Sequence, residues 1–76
     1  MKLYRIVMCD GAWAVLGGEP ERILAQSDDK EVLLAAARKL VAIRKGELFV
    51  SDESGRPDVI YTYTQGAESV YFPGTA

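Results

Sequence analysis

A single helix-forming stretch, KEVLLAAARKLVAIRK at residues 30–45, limits how this chain folds. Asp28 precedes it as an N-cap, Glu31 completes a capping-box-like pair, and Gly46 is the first residue that ends a helix. At about 100° per residue, one apolar stripe forms along the helix. Its members are Val32, Leu33, Ala36, Ala37, Leu40 and Ile43. We therefore predict one amphipathic helix that packs on a sheet.

The segments on either side of this helix predict strands. Residues 2–9 and 12–17 flank Asp10-Gly11, the dipeptide favoured in the tight turn of a hairpin. Residues 47–51 and 59–64 are rich in β-branched and aromatic side chains and predict two more strands. Gly17-Gly18-Glu19-Pro20 ends the second of these strands, and residues 18–27 are expected to form a connection.

This order predicts an α+β, ββαββ fold with a four-stranded antiparallel sheet in the order 2-1-3-4 and the helix packed on one face. If strands 1 and 2 form a hairpin and the helix reverses the chain, strand 3 runs antiparallel to strand 1. We expect residues 1–66 to form this single domain. Residues 67–76 are then a C-terminal tail, with a short extra strand expected at residues 70–72.

One helix covers only one face of such a sheet, although strands 1 and 3 carry apolar runs, residues 6–9 and 48–50, that predict burial on both faces. The uncovered face must then be met by the tail, by a second copy of the chain or by a partner protein. A homodimer is the expected solution.

The composition excludes several kinds of chemistry. The chain has 76 residues, a net charge of −2, no histidine and one cysteine, Cys9, so it forms no internal disulfide and offers no histidine for a zinc site or a catalytic triad. No apolar run approaches the roughly 20 residues of a membrane span. We expect a non-catalytic protein with no cofactor or metal, located in the cytoplasm.

The order of several weak motifs resembles a family of short bacterial proteins known as domain of unknown function 2188. These motifs are DGAWAV, the helix segment EVLLAAARKLVAIRKGEL, the SGR turn and the tyrosine-containing stretch IYTYTQG. They span roughly residues 3–66. The resemblance implies a ββαββ fold and no established activity, substrate or catalytic residue.

Two groups of side chains are candidates for function. Aromatic residues form a candidate interaction surface, with Trp13 open to either a core or a ligand-stacking role. These residues are Tyr4, Trp13, Tyr61, Tyr63, Tyr71 and Phe72. Basic residues of the helix are candidate contacts for nucleic-acid phosphates, although cations near a helix C-terminus are also favoured by its dipole. They are Arg38, Lys39, Arg44 and Lys45.

The sequence favours a protein-interaction module that uses the helix-free sheet face, either for self-association or for a protein partner. One alternative is a nucleic-acid-associated protein that uses the basic helix. Another is a small inhibitor of a host complex, encoded by a mobile element. The first alternative requires a continuous basic stripe, and catalysis would require a deep pocket with convergent polar groups.

Overall fold

The computed structural model describes residues 2–73, which form six strands and one helix. Three strands precede the helix and three follow it. In chain order the elements are β1 (Leu3–Cys9), β2 (Ala12–Gly17), β3 (Arg22–Ser27), α1 (Lys30–Arg44), β4 (Glu47–Ser51), β5 (Pro57–Thr64) and β6 (Ala67–Tyr71). The protein is therefore α+β, with one helix.

All six strands belong to one mixed sheet in the order β3-β2-β1-β4-β5-β6. Neighbouring strands are antiparallel except β1 and β4, which are parallel. The prediction of a four-stranded antiparallel sheet is thus wrong in both strand number and strand direction. The predicted order of neighbouring strands matches only the four inner strands of the sheet, β2-β1-β4-β5.

The missed strand β3 accounts for the wrong direction. Residues 22–27 were expected to lie in a connection, but they pair antiparallel with β2. This additional reversal makes β3 parallel to β1, so the chain enters α1 from the opposite end of the sheet. The helix then carries the chain back, and β4 runs parallel to β1.

The C-terminal segment extends the sheet on its other side. Gln65 and Gly66 have φ angles of 42° and 81°, as a two-residue hairpin turn requires, and β6 follows directly. The strand lies at Ala67–Tyr71, earlier than the expected residues 70–72. Residue 1 of the expected domain and residues 74–76 of the expected tail lie outside the described residues.

The helix begins at Lys30, as the sequence predicts, but its N-cap lies one residue later than predicted. Its N-cap is Asp29, not Asp28, and the Asp29 carboxylate accepts hydrogen bonds from the backbone N–H groups of Glu31 at 3.0 Å and Val32 at 3.4 Å. At the other end, Lys45 adopts a left-handed conformation with φ 55°, and Gly46 N–H donates to the Val41 carbonyl at 3.1 Å.

The core lies between α1 and the sheet face beneath it, which we call the covered face. On the helix side the buried residues are Leu33, Ala37 and Val41. The predicted stripe is therefore wrong in its centre, because Val41 is fully buried whereas Val32 and Ile43 are 61% and 80% exposed. The helix carries apolar residues on nearly every side, so periodicity alone does not identify its buried face.

The ring of Tyr4 is the largest side chain at one end of this core, and two glycines make room for it. A Cβ on Gly17 would lie 2.5 Å from the Tyr4 ring, and one on Gly46 would lie 2.5 Å from the backbone oxygen of Lys2 and 3.2 Å from the same ring. Packing therefore requires glycine at positions 17 and 46, because any side chain there would displace the Tyr4 ring or the backbone.

Candidate functional site

The opposite side of the sheet, which we call the bare face, has no helix over it within residues 2–73. Strand pairing places one side chain from each of the six strands in a row across this face. The members of this cross-sheet row, in order from one edge to the other, are Ile23, Leu16, Arg5, Phe49, Ile60 and Tyr71. Five of the six are apolar or aromatic, so the row is a nearly continuous apolar band.

Further apolar side chains of β1 and β2 widen this band. Leu3, Val7 and Cys9 alternate with the core residues of β1, and Ala14 pairs with Val7. Leu3, Ile23 and Tyr71 are the most exposed, at 51%, 48% and 61%. Contiguous exposed apolar side chains of this kind make the face a candidate binding surface.

Polar groups interrupt the bare face without dividing it. Arg5 lies in the middle of the row and donates to Glu21 through Nε at 3.0 Å and through an Nη atom at 2.6 Å. The hydrogen bond from Arg5 lowers the pKa of the Glu21 carboxyl group. Thr62 donates to Glu47 at 3.2 Å beside the row. Because Arg5 and Thr62 already have partners, covering this face would leave neither side chain without a hydrogen bond.

Four of the six candidate aromatic residues lie on the covered face instead, and Tyr61 is partly buried against the core there. Tyr4, Trp13 and Tyr63 are buried between the sheet and α1. The Lys30 ammonium lies 4.3 Å from the centre of the Trp13 ring, and Arg44 donates to the Tyr4 hydroxyl at 3.3 Å. These aromatic side chains pack the core and carry partners from the helix, so they offer little surface to another molecule.

Tyr61 and Tyr63 lie beneath an ion pair that joins the helix to the edge strand. Arg38 donates to both carboxylate oxygens of Glu68 at 2.8 Å, and its guanidinium lies 4.7 Å from the centre of the Tyr61 ring. The Tyr63 hydroxyl donates to Glu68 at 2.6 Å. Hydrogen bonds from Tyr63 and Arg38 lower the pKa of Glu68, whereas burial and the bond to Glu68 raise the pKa of Tyr63.

Only the last two candidate aromatic residues are well exposed. Tyr71 ends the cross-sheet row on the bare face, and Phe72 follows it beyond the end of β6. The structure therefore does not bring the six residues together on one surface. Strand alternation separates Tyr71 from the buried tyrosines of β5, because Tyr71 pairs with Ile60 rather than with Tyr61 or Tyr63.

The four basic candidates do not form a continuous stripe. Arg38 is paired with Glu68 and Arg44 with Tyr4, while Lys39 and Lys45 are exposed at different positions around the helix. The outward side of α1 also carries the exposed apolar residues Val32 and Ile43. This arrangement lacks the clustered cations that phosphate binding requires.

The sequence-based candidates do not include most of the apolar residues that form the bare face. Leu16, Ile23, Phe49 and Ile60 were not named, although the apolar runs of strands 1 and 3 predicted that this face would be apolar. The signal that identifies them is strand alternation. Leu16, Phe49 and Ile60 each lie next to a core residue of the same strand, so their side chains point to the opposite face. Ile23 pairs with Leu16 and therefore shares its face.

Within residues 2–73, no three histidine, cysteine, aspartate or glutamate side chains lie close enough to hold a metal ion. The described part of the chain also has no helix that is both long enough and apolar enough to cross a bilayer. No family model, no curated protein and no solved structure matches this chain.

Proposed function

We propose that the protein is a non-catalytic interaction module that self-associates through the bare face. The observation that carries this proposal is the apolar cross-sheet row, which spans all six strands and has no covering element in the described residues. A second copy is the occupant that the row fits best, because its own bare face offers the same apolar band. Two copies related by a two-fold axis would bury both bands at once.

The size of the face suits such a dimer. Six strands spaced about 4.8 Å apart, each presenting about five residues at roughly 3.3 Å per residue, give a flat area of roughly 500 Å². Two such faces together bury about 1,000 Å², the lower limit for a specific protein interface. We therefore expect a reversible dimer rather than an obligate one.

The free Cys9 favours the cytoplasm as the location of this dimer, because thiols stay reduced there. The resemblance to domain of unknown function 2188 is likewise a proposal, and it assigns no activity to the chain.

Sedimentation velocity across the micromolar range tests the dimer with a matched pair of variants. Ile23→Lys places a charge in the cross-sheet row, whereas Ile43→Lys makes the same change on the outer side of the helix. Both isoleucines are exposed in the single chain, so neither variant removes core packing. We expect wild type and Ile43→Lys to dimerise and Ile23→Lys to remain a monomer.

The proposal is overturned if the wild-type protein is monomeric throughout this range. It is also overturned if Ile43→Lys disrupts the dimer while Ile23→Lys does not, because self-association would then use the helix.

A further inference from the structure

A second surface lies at the edge of the sheet, between α1 and β6. The helix packs against β4 and β5, and it meets β6 mainly through the Arg38–Glu68 ion pair, which crosses a shallow groove between the helix and the edge strand. Three shallow cavities, wide open to solvent, adjoin one another there around Tyr63. The groove is separate from the bare face, and its use does not depend on dimerisation.

The backbone of β6 is available for pairing at the outer edge of the sheet, next to this groove. Within the described residues, β6 has β5 as its only neighbour. The two-residue turn at Gln65-Gly66 makes Thr64 and Ala67 a hydrogen-bonded pair, so the alternation of an antiparallel ladder directs the N–H and C=O groups of Glu68 and Val70 away from β5. An extended segment has two residues to pair with there.

The helix lines its side of the groove with small side chains and with two positive charges. Ala35 and Ala42 leave space beside the strand, and Lys39 and Lys45 are exposed at its rim. Neither lysine forms an ion pair within residues 2–73. The only carboxylate that lines these cavities, Glu68, is already bound by Arg38 and Tyr63. The groove therefore carries two uncompensated positive charges.

We propose that the outer edge of β6, next to this groove, receives an extended acidic peptide segment of a partner protein, which adds to the sheet as a strand. The peptide backbone pairs with Glu68 and Val70. Its acidic side chains on the helix side of the sheet lie within reach of the long, exposed side chains of Lys39 and Lys45. Such strand addition takes its affinity from backbone hydrogen bonds and its specificity from alternate side chains.

Fluorescence anisotropy with a labelled ten-residue peptide of alternating glutamate and valine tests this proposal on the full chain. A peptide of alternating lysine and valine is the matched probe. We expect the acidic peptide to bind, with affinity that falls as salt is added, and the basic peptide not to bind. Equal binding of the two peptides, or no binding of the acidic one, overturns the proposal.

Three variants locate the binding. Lys39→Glu is expected to weaken binding of the acidic peptide about fivefold. The control is Lys2→Glu, the same change in charge at an exposed position that does not line the groove. We expect this control to change the affinity less than about twofold. Val70→Pro removes an outward N–H without breaking the β5–β6 ladder, and we expect it to abolish binding. Circular dichroism checks that each variant is folded.

The monomeric variant Ile23→Lys separates this proposal from the proposed dimer. It is expected to bind the acidic peptide as wild type does, because Ile23 lies on β3 at the far edge of the sheet. If Val70→Pro abolishes dimerisation instead of peptide binding, the edge is occupied by a second copy and the peptide proposal is overturned.

Discussion

The covered and bare faces of the sheet are made from alternate residues of the same strands, yet they are built differently. On the covered face, apolar and aromatic side chains fill the space under α1, and the polar atoms of Tyr4 and Tyr63 have hydrogen-bond partners. On the bare face, apolar side chains of similar kind remain partly or largely exposed. We therefore expect the stability of the fold to depend mainly on the covered face. The side chains of the bare face are then available for binding.

A pair of leucine substitutions gives the largest expected contrast between the faces. Leu48 is fully buried on the covered face and Leu3 is half exposed on the bare face. We expect Leu48→Ala to lower the free energy of unfolding by about 2–5 kcal/mol, and Leu3→Ala to lower it by less than about 1 kcal/mol. Urea denaturation of the monomeric Ile23→Lys background measures both without a contribution from dimerisation. Similar losses for the two would contradict the division between the faces.

The next largest effect is expected at the glycine beside Tyr4. Gly46→Ala brings a Cβ against the backbone oxygen of Lys2, so the start of β4 or β1 must shift. We expect a loss of about 1–3 kcal/mol, measured by thermal denaturation. The three atoms nearest to a Cβ at Gly17 all belong to side chains, those of Tyr4 and Leu24. Truncating Tyr4 to leucine should therefore relieve Gly17→Ala but not Gly46→Ala, and equal relief of both would show that the two glycines act alike.

The smallest effect concerns the ion pair at the rim of the covered face. Because the Glu68 carboxyl has a lower pKa in the folded chain than the value of about 4.3 in an unfolded one, it stabilises the fold above that pH. This contribution is lost as the pH falls through the lower folded value. We expect Glu68→Gln to cost about 0.5–1 kcal/mol at neutral pH, since the pair is partly exposed.

Measuring unfolding free energy against pH checks this expectation. Wild type should lose stability on acidification more steeply than Glu68→Gln. Identical slopes would mean that Glu68 contributes nothing to the pH dependence. Asp52, whose pKa is lowered by hydrogen bonds from Ser54 and Arg56, should keep part of the slope in both proteins.

The strands with strong local signals were predictable from the sequence, and the two edge strands were less so. β1, β2, β4 and β5 carry runs of β-branched and aromatic residues, and the Asp10-Gly11 turn identifies the first hairpin. β3 is almost wholly exposed and contains a bulge opposite Val15 and Leu16, so it shows no clean alternation. Missing this strand reversed the predicted direction of β4 relative to β1.

The site was predictable as a face but not as a set of residues. Apolar runs in β1 and β4 predict that both faces of the inner strands carry apolar side chains. Which aromatic residues lie on which face depends on the register of β5 and β6 and on the position of the helix. Tyr61 and Tyr63 lie on the covered face, where Arg38 and α1 cover them, so they pack in or against the core instead of forming an exposed aromatic surface.

The most direct test of self-association through the bare face is an isotope-filtered NMR experiment on a mixture of labelled and unlabelled protein, which detects only contacts between copies. The expected result is a set of intermolecular contacts from Ile23, Ile60 and Tyr71 in the cross-sheet row. The absence of intermolecular contacts, or contacts only from Val32 and Ile43 on the helix, would contradict the proposal.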